Sequence, residues 1–166
     1  AVHGALIAAQ QIDTKRKRAE AQRHIVIGAG AAAAAAASPI PFSDAAILVP
    51  IQLGMMARIA QIYKIKFERA ALLAVASTTA ATQVGRATFT GLLKLVPGVG
   101  TAAGGAIGAG VASTFTFAMG QAWAVVCAKV ASGKLRNSEG MIDNDQVREL
   151  FISEFTKKVR VRQESR

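Results

Sequence analysis

Residues 95–128 carry no charged side chain. The run has one proline, Pro97, near its start, and otherwise little but small residues and scattered larger apolar ones. Alanine is the strongest helix former, and no period-2 alternation marks a strand here. The run therefore predicts a long helix opened by Thr101 and reaching about Ala131, with Ser132-Gly133 closing it. The rest of the chain shares its economy of large groups: 52% of the 166 residues are hydrophobic but only 5% are aromatic. Small side chains bury little area each, at about 25 cal/mol per Å². A chain of this kind gains stability by bringing helix backbones close together. The expected fold is all-α, a bundle of about five to six helices with Ala/Gly-rich helical hairpins, in one domain over residues 1–166.

Three zones divide the chain. Residues 1–23 predict a basic N-terminal helix with Lys15, Arg16, Lys17, Arg18 and Arg23 set against Asp13 and Glu20. Residues 24–131 predict an apolar helical core with hairpins. Residues 143–160 predict an amphipathic C-terminal helix, capped by Asp143 or Asn144, with Val147, Leu150, Phe151, Phe155 and Val159 on one face. Within the core, Pro39 and Pro41 stop a first Ala-rich arm, because proline disfavours helical geometry in the residue before it. Ser43 or Asp44 then caps a second arm with Ile47, Ile51, Met55, Ile59 and Ile62 or Tyr63 in a stripe, and Pro50 should bend it or mark its first turns. A third helix is expected over residues 67–96, with Leu72, Leu73, Val75, Val84, Leu92, Leu93 and Val96 on its apolar side and Pro97-Gly98 as its stop.

The formal net charge of +10 matters through its distribution. Bases gather at both ends around an apolar middle, a layout suited to anionic lipid surfaces or acidic partners. Lys15, Arg16, Lys17 and Arg18 at one end, and Lys157, Lys158 and Arg160 at the other, are the candidate contacts to lipid headgroups or an acidic partner. Nucleic acid is not the expected partner, since the basic stretches lack interleaved aromatics for base stacking and match no binding motif. Cys127 stands alone in an apolar run, and His3 and His24 are far apart, so neither a disulfide framework nor a metal pair is indicated. No cleavable signal peptide is evident. The chain opens on Ala1, as a fragment or a processed product would.

Ile25-Val-Ile-Gly28-Ala-Gly30-Ala-Ala-Ala33 has the outward form of a dinucleotide-binding turn, G-x-G-x-x-A. That site needs a βαβ unit of about 30 residues and an acidic residue about 20 positions on. The helix after these glycines would end at Ser38, Asp44 comes too early, and helical periodicity follows where a second strand should stand. Gly28 and Gly30 read instead as the thin face of a helix that packs closely on another. No G-x-x-x-x-G-K-[ST] phosphate loop and no Ser/His/Asp or Cys/His set is present. The expectation is a protein that is not an enzyme and has no cofactor.

Gly100, Gly104 and Gly108 recur one turn apart, a spacing used for helix packing both in lipid and in soluble helix pairs, and so candidate helix or oligomer contacts. Pro39, Pro41, Asp44, Pro97 and Gly98 are the candidate hairpin-turn and cap residues. The helix after Thr101 is long enough to cross a bilayer; the two arms around Pro39 and Pro41 are not, though together they could enter as a wedge. Two environments stay open: a domain that touches or enters membrane, or a soluble bundle with tightly packed Ala/Gly helices.

Two stretches carry a family resemblance. One is Pro39-Ile-Pro-Phe-Ser-Asp44, continued by Pro50-Ile-Gln52 and Met56-x-x-Ile59-Ala-x-Ile62-Tyr63. The other is Leu93-Lys-Leu-Val-Pro97-Gly-Val-Gly100 leading into Gly104-Gly-Ala-Ile-Gly108; the ending Val147-Arg-Glu-Leu150-Phe fits as well. Over about residues 20 to 160 the chain resembles an uncharacterised helical domain that often follows Era-like or dynamin-like GTPase domains in bacteria and occurs in some eukaryotic proteins. The resemblance implies an all-helical, membrane-associated module worked by a GTPase domain in cis or in trans, on the cytoplasmic side of a membrane. It implies no catalytic residues. These 166 residues contain no GTPase part, so either that part was removed or this version acts alone. The alternative function is a self-assembling structural protein, a homo-oligomeric ring, tube or filament built from repeated helix contacts between copies.

Overall fold

The structure, a computed structural model, describes residues 1–37, 44–81 and 101–165, and within these the side chains other than those of residues 44–46, 80–81, 101–108 and 162–163. Among the described residues there are five helices and no strand: α1 Val2–Ala36, α2 Asp44–Ile62, α3 Arg69–Ala81, α4 Thr101–Ala131 and α5 Asn144–Glu164. The architecture is the expected all-α bundle.

The first helix differs from expectation. The change from basic to apolar at residues 23 and 24 is not a helix boundary; α1 runs straight through it for 35 residues, about 52 Å. No proline interrupts it, and alanines, lysines and arginines all favour helix on either side of the polarity change. Only the second half joins the core, through Ala21, Ile25, Gly28, Ala29 and Ala32. Every side chain from Ala1 to Glu20 is exposed except Asp13 and Lys17, which are half-buried.

The central element is α4, which packs against α1, α2 and α5 and spans the predicted Thr101–Ala131. Trp123 is fully buried. Its ring meets Phe67 at 4.9 Å and Phe151 at 6.1 Å between centroids, and its indole N–H donates to the Met56 carbonyl of α2 at 2.8 Å. One residue thus ties three helices and satisfies its own polar group. Met55, Met56 and Ile59 fill the α2 side, while Ile47, expected on the same stripe, is exposed. Pro50 lies inside α2 with its ring exposed. The apolar side of α3 is narrower than expected: Leu72 and Val75 are buried, but Leu73 is exposed, and the predicted continuation through Val84, Leu92, Leu93 and Val96 lies outside the described residues.

α5 lays Val147, Phe151, Phe155 and Val159 into the core at one-turn spacing, with Leu150 half-buried beside them. Asp143 caps it: one carboxylate oxygen accepts the backbone N–H of Asp145 at 3.0 Å and of Gln146 at 3.2 Å. The end of α4 is closed by Gly133 at φ 87°, whose N–H donates to Val130, while the Lys134 N–H donates to Lys129. That crossed pair of bonds with a left-handed residue between is the Schellman stop.

Candidate functional site: a basic turn beside a close-packed helix seam

The seam where α1, α2 and α4 meet depends on missing side chains. A Cβ at Gly28 of α1 would lie 2.8 Å from the Met55 sulfur of α2. A Cβ at Gly120 of α4 would lie 2.8 Å from Ile25 Cγ1 and 3.0 Å from the same sulfur. Gly120 was not singled out by the sequence, because nothing in its neighbours marks it; the partner that needs the space is on another helix. Gly30 is exposed, and among the described residues nothing lies near its absent Cβ. Gly104 and Gly108 lie on α4, but their surroundings, like Gly100, Pro39, Pro41, Pro97 and Gly98, fall outside the described residues. α2 begins at Asp44, whose side chain is likewise outside them.

Two amide contacts lie along the same seams. Gln121 of α4 donates to the side-chain oxygen of Gln22 of α1 at 2.6 Å. Gln52 of α2 donates to the hydroxyl of Thr116 of α4 at 3.2 Å, and Thr116 is fully buried. These pairs set the helices' mutual positions as well as satisfying polar groups.

The seam also decides where the cations go. With Met55 against Gly28, α2 runs back along α1 and ends beside its basic turn. The neighbours agree. Burial raises the Tyr63 phenol above its ordinary pKa, and the nearby Arg18 charge opposes that rise. The hydrogen bond from Lys17 holds Asp13 below the usual carboxylate value against the opposing cost of desolvation, and the charges of Arg16 and Lys64 add to the lowering. The Lys17–Asp13 ion pair spans 2.8 Å. Lys15, Arg16 and Arg18 are exposed, as are Lys64 and Lys66 in the turn after α2.

Lys64 ends α2 by the same stop that Gly133 makes for α4. Its N–H donates to Gln61 and the Ile65 N–H to Ala60, with Lys64 at φ 57°. Glycine occupies that left-handed position without steric cost; lysine does not.

The second basic cluster lies elsewhere. Lys157 pairs with Glu154 at 3.3 Å, Lys158 is half-buried and Arg160 is exposed. They follow Phe155, whose ring packs on Phe115 of α4 at 5.0 Å. The α1 cluster neighbours Tyr63, whose phenol feels Arg18 and also Cys127, near the other end of α4. Phe115 and Cys127 are about 18 Å apart along the helix. The two clusters that the sequence paired as one kind of contact therefore sit at different levels of the bundle.

Among the described residues no group of three or more His, Cys, Asp or Glu could hold a metal ion. Among the described residues one helical stretch, Ala109–Ala131, is long and apolar enough to cross a membrane by length and composition, and 44% of its apolar window is buried inside the protein. The Ile47–Ile62 stretch is apolar but shorter. No curated protein and no solved structure matches the chain. A family profile does: Domain of unknown function (DUF697), over residues 5–149. Its match covers α1 to α4 and the start of α5. The chain belongs to the DUF697 family.

Proposed function

We propose that the protein is a non-enzymatic helical module that works at the cytoplasmic face of an anionic membrane, as the anchoring or effector part of a GTPase-linked system. The observation that carries this reading is the α1–α2 pair, in which charge-free helix stands directly beyond a basic base. No formal charge occurs in residues 24–43 or 45–57, while Arg16 and Arg18, midway along α1, lie near Lys64 just after the end of α2. Val26, Ile27, Ile47 and Val49 are exposed on that apolar part. Cations at the base meet headgroups at about 1 kcal/mol each. Apart from Asp44, which begins α2, the apolar part then has no charge to desolvate on contact with acyl chains. The GTPase link rests on the resemblance of the proline and glycine motifs, and a GTPase domain in cis or in trans is the proposed partner. Flotation with phosphatidylserine-containing liposomes tests the membrane reading: binding at low salt and release at high salt are expected, and no binding at low salt ends it.

A second reading is favoured by a different observation. Val2, Leu6, Ile7 and Ile12 are exposed along the first half of α1. Such an arm could pack on another copy, and repeated contacts of that kind build rings, tubes or filaments. Light scattering over a wide concentration range decides it; a constant monomer mass removes this reading.

A further inference from the structure

We infer that the headgroup-binding surface is composite, made by the basic turn of α1 together with Lys64 from the end of α2, and that it takes the phosphate-bearing headgroups of an anionic bilayer while the cations of α5 take none. The inference rests on the membrane reading above and adds to it where the bilayer sits.

Three observations converge on this surface. A shallow groove of about 320 Å³ runs along α1, lined among the described residues by Ile7, Gln10, Gln11, Thr14, Lys15 and Arg18. It joins two cations to two amides that can donate, the mixture that a phosphate diester with a polar headgroup requires. Ile7 is exposed within it, and Leu6 and Ile12 are exposed on the same helix. Aliphatic groups beside the bases favour a bilayer over a free anion, because they gain from leaving water only where apolar groups are at hand.

Lys64 is the third observation. The stop of α2 places a lysine in the left-handed conformation that glycine takes at the equivalent stop of α4. Leu135 shares the left-handed conformation at φ 59°, so what marks Lys64 is the charge that its side chain brings to this turn. The lysine sits close enough to Asp13 for its charge to be felt there, beside Arg16 and Lys17. Held at the turn, its ammonium extends the basic turn of α1 onto a second helix. The cations of α5 follow Phe155, which packs on Phe115, whereas the basic turn of α1 lies toward the Cys127 end of α4, so the two do not share this surface.

Lys64→Gly is the decisive variant, because it relieves the backbone and cannot fail for want of folding. Expected is a melting temperature equal to or above that of the wild type, with affinity for phosphatidylserine vesicles reduced about fivefold. Arg18→Gln should weaken binding by about the same factor. Lys157→Gln/Lys158→Gln/Arg160→Gln should bind as the wild type does. Inorganic phosphate, added at constant ionic strength, should not displace the protein from vesicles; displacement would assign the groove to a free anion and overturn the inference. Wild-type binding by Lys64→Gly, or loss of binding in the α5 variant alone, would overturn it as well. If the wild type itself does not float, the membrane reading fails rather than the placement.

Discussion

Replacing Gly120 by alanine isolates the close contact between α1 and α4. In an exposed helix interior, Gly→Ala gains about 1 kcal/mol from helix propensity. Gly30 and Gly54 are such positions, with nothing within 4 Å of a built Cβ, and alanine there should stabilise by about that amount and raise the melting temperature by about 2–4 °C. At Gly120 the new methyl would stand 2.8 Å from Ile25 Cγ1 and 3.0 Å from Cγ2. Carbon atoms in contact prefer about 3.5–4.0 Å, so α1 and α4 must separate by a fraction of an ångström or more. Ile25 is fully buried and branched at Cβ, so it has no free rotamer to retreat into. Overpacking of this kind costs about 1–3 kcal/mol, leaving a net loss of up to about 2 kcal/mol after the propensity gain. Gly28→Ala should fall between, because the atom it meets first is the sulfur of flexible Met55. Urea denaturation followed by far-ultraviolet circular dichroism gives the order Gly30→Ala, Gly28→Ala, Gly120→Ala from most to least stable. In a double-mutant cycle, Ile25→Ala should remove most of the penalty at Gly120. Equal stability of Gly120→Ala and Gly30→Ala would refute the reasoning.

Other consequences are as direct. Trp123→Phe removes the indole donor to the Met56 carbonyl and part of a fully buried ring, and should cost about 1–3 kcal/mol in urea denaturation. The backbone hydrogen bond from Gln146, with that residue's side chain and the Asp145 N–H, holds the Asp143 carboxyl below its ordinary value of 3.8. Its contribution to stability is therefore fully present above 3.8 and lost as pH falls through the lowered value; acid titration of Asp143→Asn should lack that part of the transition. Cys127 is fully buried, so a water-soluble maleimide should label it only after denaturant unfolds the bundle.

The sequence placed α4 and α5 well because their signals are local. Thr101 and Ser132-Gly133 bracket a charge-free run, and Asp143 precedes a one-turn apolar repeat that the core then buries. It divided α1 wrongly because polarity reports what surrounds a helix, whereas continuity depends on backbone breakers, and none lies between Val2 and Ala36. Leu73 looked like core by composition, yet only Leu72 and Val75 of that group face the bundle. Gly28 was legible as a small residue on an apolar arm, but its contact with Met55 was not, and Gly120 carried no signal at all. The basic turn of α1 was readable directly. Its union with Lys64 was not, since it depends on α2 doubling back and on a helix stop made by a residue other than glycine.

The two amide contacts have a consequence for how the bundle can move. Sliding α1 along α4 by one turn would bring Arg18 or Val26 opposite Gln121 in place of Gln22, and neither can accept its hydrogen bond through the side chain. Thr116 would similarly lose Gln52 if α2 advanced a turn and presented Met56, or retreated and presented Leu48. The slender, nearly featureless Ala/Gly rods are thus notched at two places, and they mesh at a single setting, so any large rearrangement must lift them apart rather than let them glide.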